Sequence, residues 1–184
     1  MPPAASSPEP LTPARFAEFF RSSSRVLWCV AVGVVGERDL GEDVVQEAAM
    51  VALGKLHTFA PGSNFAAWMG QYVRFVGLNH RRKAKRRQRV LDTEGPNLVP
   101  QPSAPPPDPA ALFDRQVSQA LGSLSEAQRT CLLLKTVVEL DYAEIATLLE
   151  MPRGTAMSHV SRARAKMRTL LEPQSGDQPQ GVAQ

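Results

Sequence analysis

Cysteine is scarce in this chain. Cys29 and Cys131 lie far apart, and neither has a second cysteine or a histidine at ligand spacing beside it. That excludes a disulfide framework and a zinc site read from spacing, and it suits reduced core thiols in a cytoplasmic protein. Long apolar runs are also missing. The longest, Val26 to Val35, falls well short of the roughly 18–20 residues that cross a bilayer, so no membrane insertion is expected. The opening MPPAASSPEPLTP lacks the basic-then-apolar plan of a signal peptide. No strand-like alternation stands out and no internal repeat is visible. What remains is helical periodicity, so the expected fold class is all-α.

Proline, by contrast, is abundant and unevenly placed. Of 16 prolines, five precede Arg15, seven fall between Pro96 and Pro109, and two follow Glu172. Only Pro61 and Pro152 are left, both at apparent turns. This spacing predicts a disordered tail over 1–13, a helical module over 14–91, a Pro-rich linker over 92–109, a second helical module over 110–172 and a disordered tail over 173–184. An extended linker of about 18–20 residues reaches roughly 50–60 Å, which suits two attachment points on one large object. The net charge of +3 is modest, but its uneven distribution favours an anionic partner.

The second module carries the plainest motif. In DYAEIATLLEMPRGTAMSHVSRARAKMRTLL, Asp141 stands at a helix cap with Glu144 three residues on, and Ile145, Leu148 and Leu149 form an apolar face. Met151-Pro152-Arg153-Gly154 breaks the pattern. A second helix follows from Thr155, with Ala156, Val160, Ala163, Met167 and Leu170 on one face. Short helix, tight turn and longer basic helix make a helix-turn-helix. Opposite the core stripe lie Gly154, Ser158, Ser161 and Ala165, small enough to enter a major groove. Met157, Arg164 and Arg168 flank that strip on one side, and Thr155, Arg162 and Lys166 on the other, where phosphates are expected. An ordinary amphipathic helix with solvated cations satisfies the same pattern.

In the first module, Phe16, Phe19, Phe20, Leu27, Val30, Ala31 and Val34 form one helical stripe. A second helix is expected to start at Asp39, with Glu42 as its capping residue and Val44, Val45, Ala48, Ala52 and Leu56 inward. Its first turns hold Glu42, Asp43, Gln46 and Glu47. Capping of the helix dipole, docking on a basic partner and metal ligation all remain open for these carboxylates. Metal fits least, because no histidine lies near. The third helix follows the turn 59–64, capped by Ser63 or Asn64, and buries Phe65, Trp68, Met69, Tyr72, Val73 and Val76. Past Asn79 it becomes HRRKAKRRQR, seven basic residues in the nine from Arg81 to Arg89. Like charges at i, i+3 and i+4 repel, so this run calls for an anionic partner, and nucleic acid fits it best. Nearby aromatics suit stacking on unpaired bases.

GEDVVQE at 41–47, FAPGSNFAAWMGQYVRFVGLNHRR at 59–82, and LSEAQRTCLLL with the helix-turn-helix above resemble the bacterial extracytoplasmic-function (ECF) sigma factors. The resemblance covers both modules. It implies a region 2 domain that binds the clamp of core RNA polymerase and opens the minus-ten element. It also implies a region 4 domain that binds the flap and reads the minus-thirty-five element. By that likeness Glu42, Asp43, Gln46 and Glu47 bind polymerase. Ser63 and Asn64 belong to a loop that receives a flipped base of the unpaired non-template strand; Trp68, Asn79, Arg81, Arg82, Lys85 and Arg86 serve the same downstream element. Thr155, Met157, Ser158, His159, Ser161, Arg162 and Arg164 meet the upstream double-stranded promoter DNA. The family usually has a cation where this chain has Met157, and arginine where it has His159. Phosphate anchoring by this helix is weakened accordingly, so either the promoter is unusual or region 2 carries more of the binding. An anti-sigma factor is a further partner the likeness admits. No cofactor, metal or catalytic residue is implied. A stand-alone helix-turn-helix regulator would leave the acidic and basic helices unused, and a metal-dependent nuclease would lack a ligand set.

Overall fold

The computed structural model describes residues 10–94 and 109–172. Its elements are α1 (Pro13–Val35), α2 (Arg38–Leu53), a single 3-10 turn at Leu56–Thr58, α3 (Phe65–Glu94), α4 (Pro109–Ser123), α5 (Glu126–Thr136), α6 (Tyr142–Leu148) and α7 (Arg153–Leu171). The fold is all-α, as the periodicity predicts. No helix among the described residues is by itself long and apolar enough to cross a membrane. The expected linker and tails lie largely outside the described residues.

Three local expectations are revised. The proline spacing places residues 10–12 in a disordered tail, yet Leu11 is only 7% exposed and joins the core cluster that holds Phe16. Thr12 caps α1 by accepting the Arg15 amide at 3.3 Å, with Pro13 in the first helical position. Leu11 and Phe16 are therefore at the two positions of a hydrophobic staple. The cap expected at Asp39 does not form: α2 starts one residue earlier behind Glu37, with no side-chain cap bond. And α3 runs to Glu94, three residues past the expected end of its module.

Elsewhere the capping chemistry acts as read. Asn64 Oδ1 accepts the Ala67 amide at 3.0 Å. Asp141 accepts from Ala143 and Glu144, while Glu144 accepts from the Asp141 amide at 2.7 Å. Those amide bonds, that from Glu144 above all, hold the Asp141 carboxyl below its ordinary pKa. Gly36 ends α1 with φ 87°, in the left-handed region that suits glycine. Cys29 and Cys131 are both free and buried, and burial pushes each thiol up to about 11.

The two modules are docked against each other. α1 packs on α5 within one apolar cluster that runs from Leu27 and Met69 to Leu134 and Ile145, all fully buried. Each such side chain contributes about 1.5–3 kcal/mol. Gly33 makes the approach close, since a Cβ there would sit 2.1 Å from Thr130 Oγ1 and 2.8 Å from Thr130 Cα. Beside it, Arg129 is 5% exposed. Its guanidinium donates to the carbonyls of Gly33 at 2.8 Å, Leu121 at 3.0 Å, Gly122 at 3.3 Å, Leu124 at 3.4 Å and Val34 at 3.5 Å. Gly33 and Val34 belong to the last turn of α1 and Gly122 to that of α4, so these carbonyls lie at the negative poles of both helices; the Leu121 carbonyl also accepts from the Leu124 amide at 3.1 Å. Burial, then the charge of Arg81, lower the Arg129 pKa, and Glu126 opposes them. Glu126 also receives Arg74 and Arg81, each at 3.2 Å, and Gln71 reaches Glu150 at 3.0 Å.

Candidate nucleic-acid and partner interfaces

The acidic cluster divides when α2 is folded. Asp43 and Gln46 are exposed and share a face with half-buried Glu47. Glu42 stands at the edge of that face, about 40° from Gln46 and about 100° from Asp43, and lines a cleft of about 1110 Å³ between the modules with Glu37, Asp39, Arg81 and Arg115. Glu47 is not without an internal base: His80 Nε2 lies 2.7 Å from its carboxylate. The Asp43 stripe continues into Met50, 70% exposed, and Leu53, 44% exposed. The sequence reading does not single out either one, because it follows the inward register through Val44, Val45, Ala48, Ala52 and Leu56. Their spacing of seven and ten from Asp43 was the available signal.

The loop before α3 is built to hold its shape. Gly62 adopts φ 82°, Ser63 donates through Oγ to the Ala60 carbonyl, and Asn64 caps the helix. Below it the Thr58 hydroxyl donates to the Lys55 carbonyl at 2.8 Å and accepts from Trp68 Nε1 at 3.2 Å; Tyr72 completes the set at 3.0 Å. The Trp68 ring is held edge-on by Phe59 at 5.4 Å and Tyr72 at 5.0 Å. It is thus a half-buried structural side chain.

The basic run is divided as well. Arg81 is held by Glu126 and His80 by Glu47. Asn79 is half-buried, whereas Arg82, Lys85 and Arg86 are exposed. Arg82 and Arg86 share the Trp68 and Asn79 side of α3; Lys85 follows the Arg74–Arg81 side.

In α7 the small strip is open. Gly154, Ser158, Ser161 and Ala165 are exposed, as are Thr155, Met157, Arg162, Arg164 and Arg168. Ala156, Val160 and Ala163 are buried beneath. Two expected contacts are placed differently. His159 is half-buried at the edge of the core stripe, with Nδ1 buried and unpartnered. Lys166 donates at 2.7 Å to the Ser123 carbonyl at the end of α4, so it serves the helix terminus.

An acidic-apolar stripe, a capped loop leading into a basic helix, and an open helix-turn-helix thus stand on one all-α chain. The family model for Sigma-70 region 2 matches residues 19–87, and that for Sigma-70, region 4 matches 114–167. The ECF RNA polymerase sigma factor EcfG of Rhodopseudomonas palustris is 33% identical over 141 residues, covering 77% of this chain and 76% of that protein. The RNA polymerase sigma-H factor of Pseudomonas aeruginosa is 30% identical over 153 residues, covering 77% and 78%. This chain belongs to the ECF sigma factors: it binds core RNA polymerase and directs it to promoters. Among solved structures, the sigma factor RpoE of Bartonella quintana, in complex with the anti-sigma factor NepR, aligns with TM-score 0.58 at 28% identity, covering 85% of this chain and 98% of that one.

Proposed function

We propose that the exposed surfaces divide the work of initiation. Asp43, Gln46 and Glu47, extended by Met50 and Leu53, bind the polymerase clamp. The loop at Ser63 and Asn64, with Asn79, Arg82 and Arg86, holds the unpaired strand of the downstream element. The outer strip of α7 enters the upstream major groove. The observation that carries this reading is that exposed Asp43 and Gln46 stand on α2 while exposed Arg82 and Arg86 stand on α3, because one factor must meet a basic protein surface and polyanionic DNA at once. The factor acts in the cytoplasm and catalyses no reaction itself. An anti-sigma partner is proposed on the likeness to the RpoE complex.

Reconstitution with core polymerase and a promoter library tests it, since only a sigma factor directs new start sites. In that system Asp43→Ala with Gln46→Ala is expected to weaken polymerase binding at unchanged helical content. Unchanged affinity in a titration would remove α2 from the interface.

Promoter affinity should fall steeply with salt, and neutralising Arg82 and Arg86 together should flatten the log–log slope by about 1–2 units. The parent slope, kept by that double variant, would mean that these side chains face solvent or protein.

A further inference from the structure

We propose that an apolar groove between the modules binds a medium-chain fatty acid, and that the bound acid holds the modules docked. The groove encloses about 630 Å³. Its walls are Trp28 and Val32 from α1, Leu121 from α4, Leu133 and Val137 from α5, and Met167 from α7. Trp28, Leu121, Val137 and Met167 are only half-buried. Apolar surface is thus left to water in a concave place, where a ligand gains most by covering it.

Charge selects the ligand. Three guanidinium groups, those of Arg38, Arg164 and Arg168, also line the groove, and no carboxylate among the described residues does. All three are exposed, and none forms an ion pair within the described residues. The Arg38 guanidinium lies 6.0 Å from the centre of the Trp28 ring, so one cation stands directly against the apolar wall. The larger cleft, which shares Trp28 and Arg38, is of another kind. There Glu37, Asp39, Glu42 and Glu126 stand among the arginines, and an anion is repelled.

Size selects it too. A two-turn helix, about 11 Å long and 10–12 Å across, already takes up more than the groove holds. An alkyl chain of about ten carbons ending in a carboxylate fits within it. The chain meets the apolar walls, and the carboxylate meets guanidinium forks that bind it with paired N–H donors. Because the walls come from α1 and α2 on one side and from α4, α5 and α7 on the other, an occupied groove adds to the contact at Gly33 and Arg129. The ligand therefore shifts the chain toward its docked state.

The test is calorimetric titration of the full chain with octanoate, decanoate and dodecanoate, each below its micellar concentration. Affinity should rise about fourfold with each added methylene. Decanol should bind about tenfold more weakly than decanoate, for want of the charge. Arg164→Gln with Arg168→Gln should cost decanoate about tenfold and decanol nothing. Val117 also lines the groove, and Val117→Asp, which sets a carboxylate in the wall, should abolish binding at unchanged helical content. Gly33→Leu should lose decanoate binding as its radius of gyration rises. Decyltrimethylammonium binding as tightly as decanoate would overturn the proposal, because that is detergency alone. So would an acidic amphipathic helical peptide that binds where decanoate does not, since the groove would then belong to a protein partner. Wild-type affinity for decanoate in Gly33→Leu with its modules parted would overturn it as well.

Discussion

Gly33→Leu is expected to drive the two modules apart. Any side chain at Gly33 meets the backbone and hydroxyl of Thr130 within 3 Å, and backbone cannot rotate away as a side-chain tip can. Overpacking of this kind costs about 1–3 kcal/mol even where neighbours yield. The Arg129 bonds to Gly33 and Val34 are lost with the approach. Arg129→Met should act in the same direction, because it strips the donor from several carbonyls at once, at a cost of about 3 kcal/mol or more. In small-angle scattering the radius of gyration should rise for both variants, with helical circular dichroism nearly unchanged. Gly70→Ala is the control, since nothing lies within 4 Å of a Cβ there. An unaltered scattering curve for Gly33→Leu would mean that the Gly33–Thr130 contact does not hold the modules. Separation also frees Arg74 and Arg81 from Glu126. The salt slope of promoter binding should then steepen by about one unit for each phosphate newly met.

Arg162→Ala is expected to relax sequence preference at one base pair of the upstream element, costing about 1–3 kcal/mol there. Arg162 is exposed beside Ser158, and its planar fork suits a bidentate contact with guanine O6 and N7. The hydroxyls of Ser158 and Ser161 discriminate weakly. Arg164 stands on the other flank and lines a groove together with Tyr142 and Arg168, where a phosphate is the natural ligand. Arg164→Ala should therefore weaken all upstream sequences alike, and Met157→Arg should tighten duplex binding in general. Binding across a randomised upstream element separates these outcomes. If Arg162→Ala lowers every sequence equally, Arg162 is not the base reader.

Much of this was legible in the chain because it rests on local rules. The capping box at Asp141, the proline turn before α7 and the alternation of buried Ala156, Val160 and Ala163 with the exposed small strip each need only neighbours within four residues. Charge density likewise announced the run after Asn79, since no solvated helix face tolerates such crowding without a counter-anion. The tail failed for a local reason too: prolines hid the staple in which Leu11 pairs with Phe16.

The partners of individual charges were not legible. That His80 meets Glu47, that Glu126 holds Arg81, that Lys166 caps α4 and that Glu42 faces the cleft depend on which helix surfaces approach in space. The same holds for the exposure of Met50 and Leu53. The amino-acid order alone determined two all-α modules, an acidic helix, a basic helix and a helix-turn-helix, because periodicity, caps and charge repulsion act along one helix. Only the tertiary structure decided that the modules dock through Gly33 and Arg129, and which cations remain free for DNA. Close approach and carbonyl pairing are properties of two helices at once, and no spacing within either one encodes them.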